Sequence, residues 1–248
     1  MPRFACRIDY DGTSFSGWQR QPKAITVQAE VEDTFSKLCG EAISIVGCGR
    51  TDAGVHAIGY LFHFDVSKNL IDLGQFMYKA NKILPDSIVV QEIFAVSGDF
   101  HARFDALSRS YVYKMHLGKH AFLNHYSFAY PYRASDIDID KLNEAAALLL
   151  GKHDFTPFCK TGSDVGTHFC TLTKSSWVQE DQRLEYHVSA DRFLRGMIRL
   201  IVGMCLNHSR GKLQLDEVRS ALQAGERLSL DWSVPGHGLT LKDIQYPI

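Results

Sequence analysis

The stretch that organises the chain is Gly-Arg-Thr-Asp-Ala-Gly-Val-His-Ala, residues 49–57. It joins two runs of strand-like sequence, residues 43–48 and 56–66. Asp52 therefore lies in a short loop at a strand end, with Arg50 two residues before it and His56 four residues after it. Flanking glycines permit close approaches that a side chain would block, and loops held by a sheet commonly carry catalytic groups. Asp and Gly also dominate ordinary turns, so the loop is either a catalytic element or a polar turn.

The residues around this loop predict alternating strands and helices in the first half of the chain. Arg3–Tyr10 has strand-like sequence, and Thr26 is a suitable N-cap for a helix that ends at Gly40. Asp72 begins a second helix, which Pro85 ends. In the strand after the loop, alternation predicts one face that carries Ile58, Tyr60, Phe62, Phe64 and Val66.

The second half repeats this order of elements. Strand-like sequence occupies residues 110–117, 169–178 and 184–190. Helical spacing predicts one helix that begins at Asp138 and stops at Gly151, and another over residues 193–207. Each half thus reads strand–helix–strand–strand–helix, and short connections between strands favour antiparallel pairing. The sequence predicts an α+β fold in which two related subdomains, residues 1–105 and 106–248, share a mostly antiparallel sheet with helices packed on it.

The composition is that of an ordinary globular protein. Of the 248 residues, 45% are hydrophobic and 22% are charged. No apolar run approaches the roughly 18 residues of a membrane span, and the first residues lack the apolar core of a signal peptide. None of the six cysteines forms a Cys-x-x-Cys pair, and several lie in apolar runs. Buried free thiols predict a cytoplasmic location and argue against a disulfide framework or structural zinc.

Basic residues are concentrated in two stretches, although the net charge is only −1. Residues 192–212 include five cationic side chains and no acidic one, and residues 101–120 include four cationic side chains against Asp105. Local basic surface on a neutral body suits a protein that binds a polyanion at one cleft. The alternative is a solvated helix face with scattered surface lysines.

Two further groups of residues have the pattern of an RNA site. Arg109, Tyr111 and Tyr113 share one face of a predicted strand, and aromatic rings beside arginines form a stacking platform for a base. Arg195 and Arg199 are four residues apart and so share a face of the predicted helix. An arginine at the edge of a cleft can hold a carboxylate ionised. Both groups also have a structural alternative, as half-buried sheet aromatics and as surface arginines.

Other chemistries lack their characteristic spacing. Asp52, His56, His63 and Asp65 are of metal-ligand types, but no metal-site spacing such as His-x-x-x-His on a helix occurs. The chain has no Gly-x-Ser-x-Gly nucleophile elbow, no Gly-x-x-x-x-Gly-Lys-Ser/Thr phosphate loop and no dinucleotide fingerprint. The spacing therefore argues against a bound metal ion.

The motifs resemble those of the tRNA pseudouridine synthase A family nearly from end to end, and residues 49–57 resemble its active-site signature. The other matching blocks are residues 10–21, 26–28, 84–88, 100–106, 109–113, 151–155, 193–199 and 238–241. Three positions depart from the family pattern. Ala29 replaces a frequent glycine, Gly236 replaces a frequent alanine, and an arginine common near residues 170–172 is missing. None of these coincides with an inferred catalytic residue.

The resemblance implies a homodimeric enzyme that isomerises uridine to pseudouridine at positions 38–40 of the tRNA anticodon stem-loop, without metal or organic cofactor. It implies that Asp52 is the catalytic aspartate and Arg199 the basic residue that pairs with it. Tyr111 matches the tyrosine that stacks on the target uracil, and Leu239 matches the apolar residue packed by the base. The further candidates for substrate binding are Arg50, His56, Arg109 and Arg195.

Two other functions are compatible with the same residues. A nucleoside hydrolase-like or other glycosidic-bond enzyme with a lone aspartate would release free base. A non-catalytic RNA-binding protein or chaperone on the same sheet would bind tRNA and leave uridine unchanged. The joint presence of Asp52, Arg199 and Tyr111 argues against the non-catalytic alternative.

Overall fold

The computed structural model describes residues 1–68, 70, 72–160, 162, 166–230 and 232–247. Within them the chain forms ten strands and five α-helices. In chain order these are β1 (Arg3–Tyr10), α1 (Val27–Cys39), β2 (Ile45–Gly47), β3 (His56–Asp65), α2 (Leu73–Ile83), β4 (Ile88–Val96), β5 (Ser108–His116), β6 (Phe128–Ala129), α3 (Ile139–Ala147), β7 (Gly151–Asp154), β8 (Phe169–Glu180), β9 (Arg183–Ala190), α4 (Met197–Ser209), α5 (Leu215–Ala224) and β10 (Leu239–Gln245). The strands pair mostly antiparallel, so the predicted α+β class is confirmed. No described helix has the length and apolar character needed to cross a membrane.

The elements form two compact units. The first contains Met1–Leu107 together with Thr240–Ile248, and the second contains Ser108–Leu239. The sequence predicts that residues 106–248 form the second subdomain, whereas in the structure the segment Thr240–Ile248 belongs to the first unit. Thr240 of β10 pairs in parallel with His56 of β3. Local sequence patterns carry no information about a pairing between positions so far apart in the chain.

In the first unit, β1 lies between β3 and β4 and pairs antiparallel with both. The helix α1 begins after the predicted N-cap Thr26, whose hydroxyl accepts the Ala29 N–H, and ends at Gly40 in the left-handed conformation (φ 68°). Asp72 caps α2 in the same way, also as predicted. The ring of Phe35 on α1 meets the ring of Phe64 edge-on at 5.1 Å. These contacts bury the apolar face that the alternating pattern of β3 predicts.

The strand before the Asp52 loop is shorter than predicted. The sequence suggested residues 43–48, whereas β2 covers Ile45–Gly47. The Ile43 N–H donates to Ser36 Oγ at 2.9 Å, and the Ile45 N–H donates to Glu32 Oε1 at 3.1 Å. The backbone before β2 is therefore paired with side chains of α1, which leaves a shorter run for the strand ladder.

The predicted face of β3 is correct from Tyr60 onwards and wrong at Ile58. The pairing of β1 with β3 shifts register in this region, because Ile8 pairs with Tyr60 while Tyr10 pairs with Ala57. The extra residue forms a bulge, and Ile58 is 44% exposed while Tyr60 is fully buried. Simple alternation fails where a bulge inserts a residue.

In the second unit, β5, β9, β8 and β7 follow one another in antiparallel order, and β6 lies parallel to β5. Asp138 caps α3 by accepting the backbone N–H groups of Asp140 and Lys141, as predicted. The helix ends at Ala147, earlier than the predicted stop at Gly151. The sequence analysis did not predict β4, β6, β7, β10 or α5.

The second predicted helix of this unit begins later than expected. The sequence suggested residues 193–207, whereas α4 covers Met197–Ser209 and is preceded by Gly196 with φ 71°. This left-handed residue interrupts helical geometry, so Arg195 lies outside the helix. The prediction that Arg195 and Arg199 share a helix face is therefore wrong.

We predict that Gly203→Ala destabilises the protein, although alanine favours helix over glycine. A Cβ atom at Gly203 would lie 1.7 Å from the main-chain oxygen of Trp232. Relieving this contact requires movement of backbone in a buried helix, and such overpacking costs about 1–3 kcal/mol. Thermal unfolding should show a Tm lower by about 2–4 °C for each kcal/mol lost.

Gly74→Ala is the matched control, because a Cβ atom at Gly74 in α2 meets nothing closer than Asp72 Oδ1 at 3.5 Å. Its Tm should stay unchanged or rise. Equal Tm values for Gly203→Ala and the unaltered protein would contradict the packing of α4 against the segment at Trp232.

Candidate active site

Asp52 lies in the loop that connects β2 to β3, as the sequence predicts, and its side chain is half-buried. The Val55 N–H donates to the Asp52 main-chain oxygen at 3.2 Å, which closes a tight turn. Arg50 is exposed on the same loop. The loop thus holds one carboxylate at an intermediate depth, between a buried strand and solvent.

The segment after β1 fastens this loop through main-chain hydrogen bonds. The Trp18 N–H donates to the Thr51 oxygen at 3.1 Å, and the Gly54 N–H donates to the Phe15 oxygen at 3.3 Å. The hydroxyl groups of Tyr10 and Thr51 are 2.8 Å apart and share a hydrogen bond. Bonds on both sides of Asp52 therefore fix the main chain that carries it.

Two glycines of this segment allow the close approach. A Cβ atom at Gly12 would lie 2.0 Å from the Val55 oxygen, and one at Gly17 would lie 2.6 Å from the Thr51 oxygen. Gly17 also has φ +95°, which side chains disfavour. This segment matches a family motif, but its support of the Asp52 loop was not predicted from the sequence. Gly12 and Gly17 were the sequence feature that could have indicated this close contact.

Two aromatic rings support the loop from the unit's interior. Trp18 and Tyr60 stack with their ring centroids 4.0 Å apart, and the Tyr60 hydroxyl donates to the Gly49 main-chain oxygen. Both residues are almost fully buried. The start of the loop is thereby tied to the core of the first unit.

His56 is also buried, at 4% exposure. Its Nδ1 atom lies 3.1 Å from the Gly12 N–H nitrogen and 3.1 Å from Asp11 Oδ1. Nδ1 can accept from Gly12 or donate to Asp11, and either bond ties the end of the loop to the same segment. This geometry favours a positioning role for His56 over the substrate contact that the sequence suggested.

In the second unit, Arg199 lies in the first turn of α4 and is half-buried. Its Nε–H donates to the Val234 oxygen at 2.6 Å, and the Val234 N–H donates to the Arg199 oxygen at 3.3 Å. The guanidinium group is therefore oriented by a fixed partner on the chain that leads to β10.

Tyr111 and Tyr113 of β5 differ in a way that the sequence did not show. Tyr111 is half-buried, and its ring meets Phe193 edge-on at 5.2 Å. Tyr113 is fully buried, and its hydroxyl donates to the Pro235 oxygen at 2.9 Å. Burial raises the pKa of the Tyr113 hydroxyl. The prediction that both rings form a stacking platform is wrong for Tyr113, which is a core residue.

The remaining candidate site residues of this unit lie in three different segments of the chain. Leu239 is buried at the start of β10. Arg109 donates from Nη1 to the Asp191 oxygen at 2.8 Å. Arg195 is exposed in the loop before α4, where its main-chain oxygen accepts the Lys160 N–H at 3.0 Å. Arg195 therefore lies outside α4, whereas Arg199 lies in its first turn.

Two basic residues at the end of the stretch 192–212 differ in their surroundings. Lys212 is exposed, whereas the Arg210 guanidinium lies 3.6 Å above the ring of Tyr132. Among the described residues, no three His, Cys, Asp or Glu side chains are grouped so that they could hold a metal ion. The six cysteines are free thiols.

Comparison with known proteins identifies the family. A family model described as tRNA pseudouridine synthase matches residues 7–105 and 145–247. A protein named tRNA pseudouridine synthase A from Parabacteroides distasonis is 40% identical over 247 residues, which covers 100% of this chain and 97% of the relative. The protein of that name from Bacillus subtilis is 37% identical over 248 residues, with 98% and 99% covered. The resemblance seen in the motifs is confirmed, and the chain belongs to the tRNA pseudouridine synthase family.

Proposed function

We propose that the protein converts uridine to pseudouridine at positions 38–40 of the tRNA anticodon stem-loop, with Asp52 as the nucleophile. Membership of the family supports the reaction and the tRNA substrate. The tRNA positions and the role of Asp52 rest on the motif resemblance together with the geometry of the loop. The observation that carries the proposal is the half-buried Asp52 carboxylate on a loop fixed from both sides.

The chemistry needs no atoms other than those of the substrate. The N1–C1′ bond breaks, the uracil turns, and C5 bonds to C1′ in place of N1. The proton on C5 is lost, and N1 gains one, so the reaction is an isomerisation. Asp52 can attack C1′ or C6, and in either case its bond to the substrate breaks again before product leaves.

Residues of the second unit supply the other roles in the proposal. Arg199 provides positive charge that favours an ionised carboxylate during the reaction. Tyr111 offers a half-buried ring for the extruded uracil, and Leu239 offers an apolar side chain. Extrusion of a base costs a few kcal/mol, and stacking on an aromatic ring returns about 1–3 kcal/mol. Arg50 and Arg109 contribute substrate contacts, and His56 positions the Asp52 loop.

The proposal includes a homodimer in the cytoplasm, as the resemblance and the cysteine usage imply. A chain of net charge −1 binds tRNA through local cations. The exposed Lys212 is one such cation.

The experiment that tests this function uses unmodified tRNA transcripts in which uridine is present at only one of positions 38, 39 and 40. Nucleoside analysis after incubation should detect pseudouridine in these transcripts and none in a transcript with cytidine at all three positions. Release of free uracil would instead indicate a base-releasing enzyme. Binding without any product would indicate an RNA-binding protein.

We predict that Asp52→Asn abolishes pseudouridine formation and retains the fold and tRNA binding, because an amide cannot act as an anionic nucleophile. Single-turnover activity should fall below about a hundredth of that of the unaltered protein. Asp243→Asn on β10, an exposed carboxylate, is the matched control and should keep full activity. Substantial turnover by Asp52→Asn would remove Asp52 from the mechanism.

We also predict that basic residues of the second unit have two different roles, one in tRNA binding and one in the reaction. Lys212→Ala and Arg210→Ala should weaken binding to any tRNA and reduce the slope of log affinity against log salt by about one for each phosphate that is no longer neutralised. Arg199→Ala should lower the single-turnover rate more than the affinity, since its charge serves the reaction.

The measurements are tRNA affinity over a range of salt concentrations and the rate at saturating enzyme. Lys37→Ala on α1, an exposed lysine outside the basic stretches, is the control. If Arg199→Ala loses affinity while its rate at saturating enzyme is unchanged, the assignment of Arg199 to the reaction is wrong.

A further inference from the structure

Residues 100–105 of the first unit form a tight turn that the proposed reaction does not use. The His101 N–H donates to Asp105 Oδ2 at 2.7 Å, and the Asp105 N–H donates to the His101 oxygen at 3.0 Å. The N–H groups of Arg103 and Phe104 both donate to His101 Nδ1 at 3.2 Å. These bonds give the turn one defined shape.

The turn is anchored to the core of the unit. The Ala102 N–H donates to Nδ1 of the buried His63 at 3.1 Å, and the Tyr246 hydroxyl donates to the Ala102 oxygen at 2.6 Å. Burial, together with nearby Arg3, lowers the pKa of His63 to about 4, so His63 is neutral at physiological pH and Nδ1 can accept. The main chain of the turn is therefore fixed against the core of the unit.

Phe104 at the tip is 74% exposed. One face of its ring is covered by the ring of His101, with the centroids 4.2 Å apart and the planes inclined by 30°. The Arg103 guanidinium lies 5.7 Å from the centre of the same ring. A mostly exposed aromatic ring that packs against a second ring and has a neighbouring cation is an arrangement on which proteins stack an unpaired nucleobase and neutralise its phosphate.

Acidic and basic side chains both lie near the turn. Each nearby carboxylate is engaged within the unit: Asp65 binds Arg3 at 2.8 Å, Asp105 accepts the His101 N–H, and Asp99 accepts the Ser97 hydroxyl. Hydrogen bonding and ion pairing lower the pKa values of Asp65 and Asp99, in each case mainly through the side chain just named. Asp99 is exposed, as Arg103 is, so a phosphate contact at this turn depends on Arg103 itself and not on a net positive surface.

The location of the turn decides which base it could hold. His63, which contacts the turn, lies seven residues after His56 on β3. At about 3.3 Å per residue the two ends of this strand are roughly 20 Å apart. The Asp52 loop adjoins the His56 end, so the reacting uridine is too far away to stack on Phe104.

We propose that Phe104 and Arg103 form a second RNA contact, in which an unpaired base of the tRNA other than the reacting uridine stacks on the exposed ring of Phe104. The contact rests on the proposed tRNA function and adds affinity at a distance from the chemistry. Arg103 contacts the adjoining phosphate.

The first test compares tRNA affinities. Phe104→Ala should weaken binding about 5- to 150-fold, the range for loss of one stacked base, with the salt slope and the rate at saturating enzyme unchanged. Arg103→Ala should instead reduce the salt slope by about one. Phe122→Ala is the control, because Phe122 is 86% exposed elsewhere in the chain, and its affinity should equal that of the unaltered protein.

The second test reports on stacking directly. Phe104→Trp should keep native affinity, and its tryptophan emission should be quenched by tRNA but not by a fully paired RNA duplex of similar length. Phe122→Trp should show no such quenching. Unchanged affinity of Phe104→Ala, or unquenched emission of Phe104→Trp in the complex, would overturn the proposal.

Sedimentation separates this role from a contact between protein copies. Phe104→Ala should sediment like the unaltered protein, and a change in oligomeric state would overturn the proposal in favour of a protein–protein contact. Pseudouridine formation by the unaltered protein, measured alongside, distinguishes failure of this contact from failure of the proposed function.

Discussion

At two places in the first unit, main chain lies against main chain so closely that only glycine fits. Gly12 faces the oxygen of Val55, and Gly17 faces the oxygen of Thr51. Between these two contacts lies Asp52, and the hydrogen bonds from Trp18 and Gly54 close the same region. Side chains at Gly12 or Gly17 would force the two stretches apart, and the Asp52 loop would lose the hydrogen bonds that define its shape.

This constraint has a chemical consequence. A nucleophile on a mobile loop must be ordered each time the substrate binds, whereas a loop ordered in advance carries its reactive group already in place. For Asp52, the proposed nucleophile, the ordering comes from buried groups around its loop: the Tyr10–Thr51 hydroxyl pair, the Trp18–Tyr60 stack and the His56 ring. Because these groups are buried, their hydrogen bonds are protected from competition with water.

The second unit orders its polar groups by a similar use of backbone acceptors. Arg199 and Tyr113 donate to consecutive carbonyl groups, those of Val234 and Pro235. The segment before β10 is thereby fixed against both β5 and α4. The same protein is nearly neutral overall, so the proposed binding of tRNA depends on where individual cations are placed. The tip of the turn at Arg103 and the end of α4 at Lys212 are two such places, and they lie in different units.

The sequence by itself determined the features that depend on near neighbours. The N-caps Thr26, Asp72 and Asp138, the stop at Gly40 and the buried face of β3 from Tyr60 onwards follow from local periodicity and capping chemistry, and the structure confirms them. The position of Asp52 in a glycine-flanked loop at a strand end also followed from the local pattern, and so did the family.

Only the tertiary structure decided the features that depend on contacts between distant residues. These include the glycine cradle around the Asp52 loop, the return of β10 to β3, the bulge that exposes Ile58, and the burial of Tyr113 beside a half-buried Tyr111. Arg195 and Arg199 have the spacing of helix neighbours, yet Gly196 takes a left-handed conformation and places one of them outside the helix. Sequence periodicity cannot register such an interruption, because the conformation of a glycine is set by the packing around it.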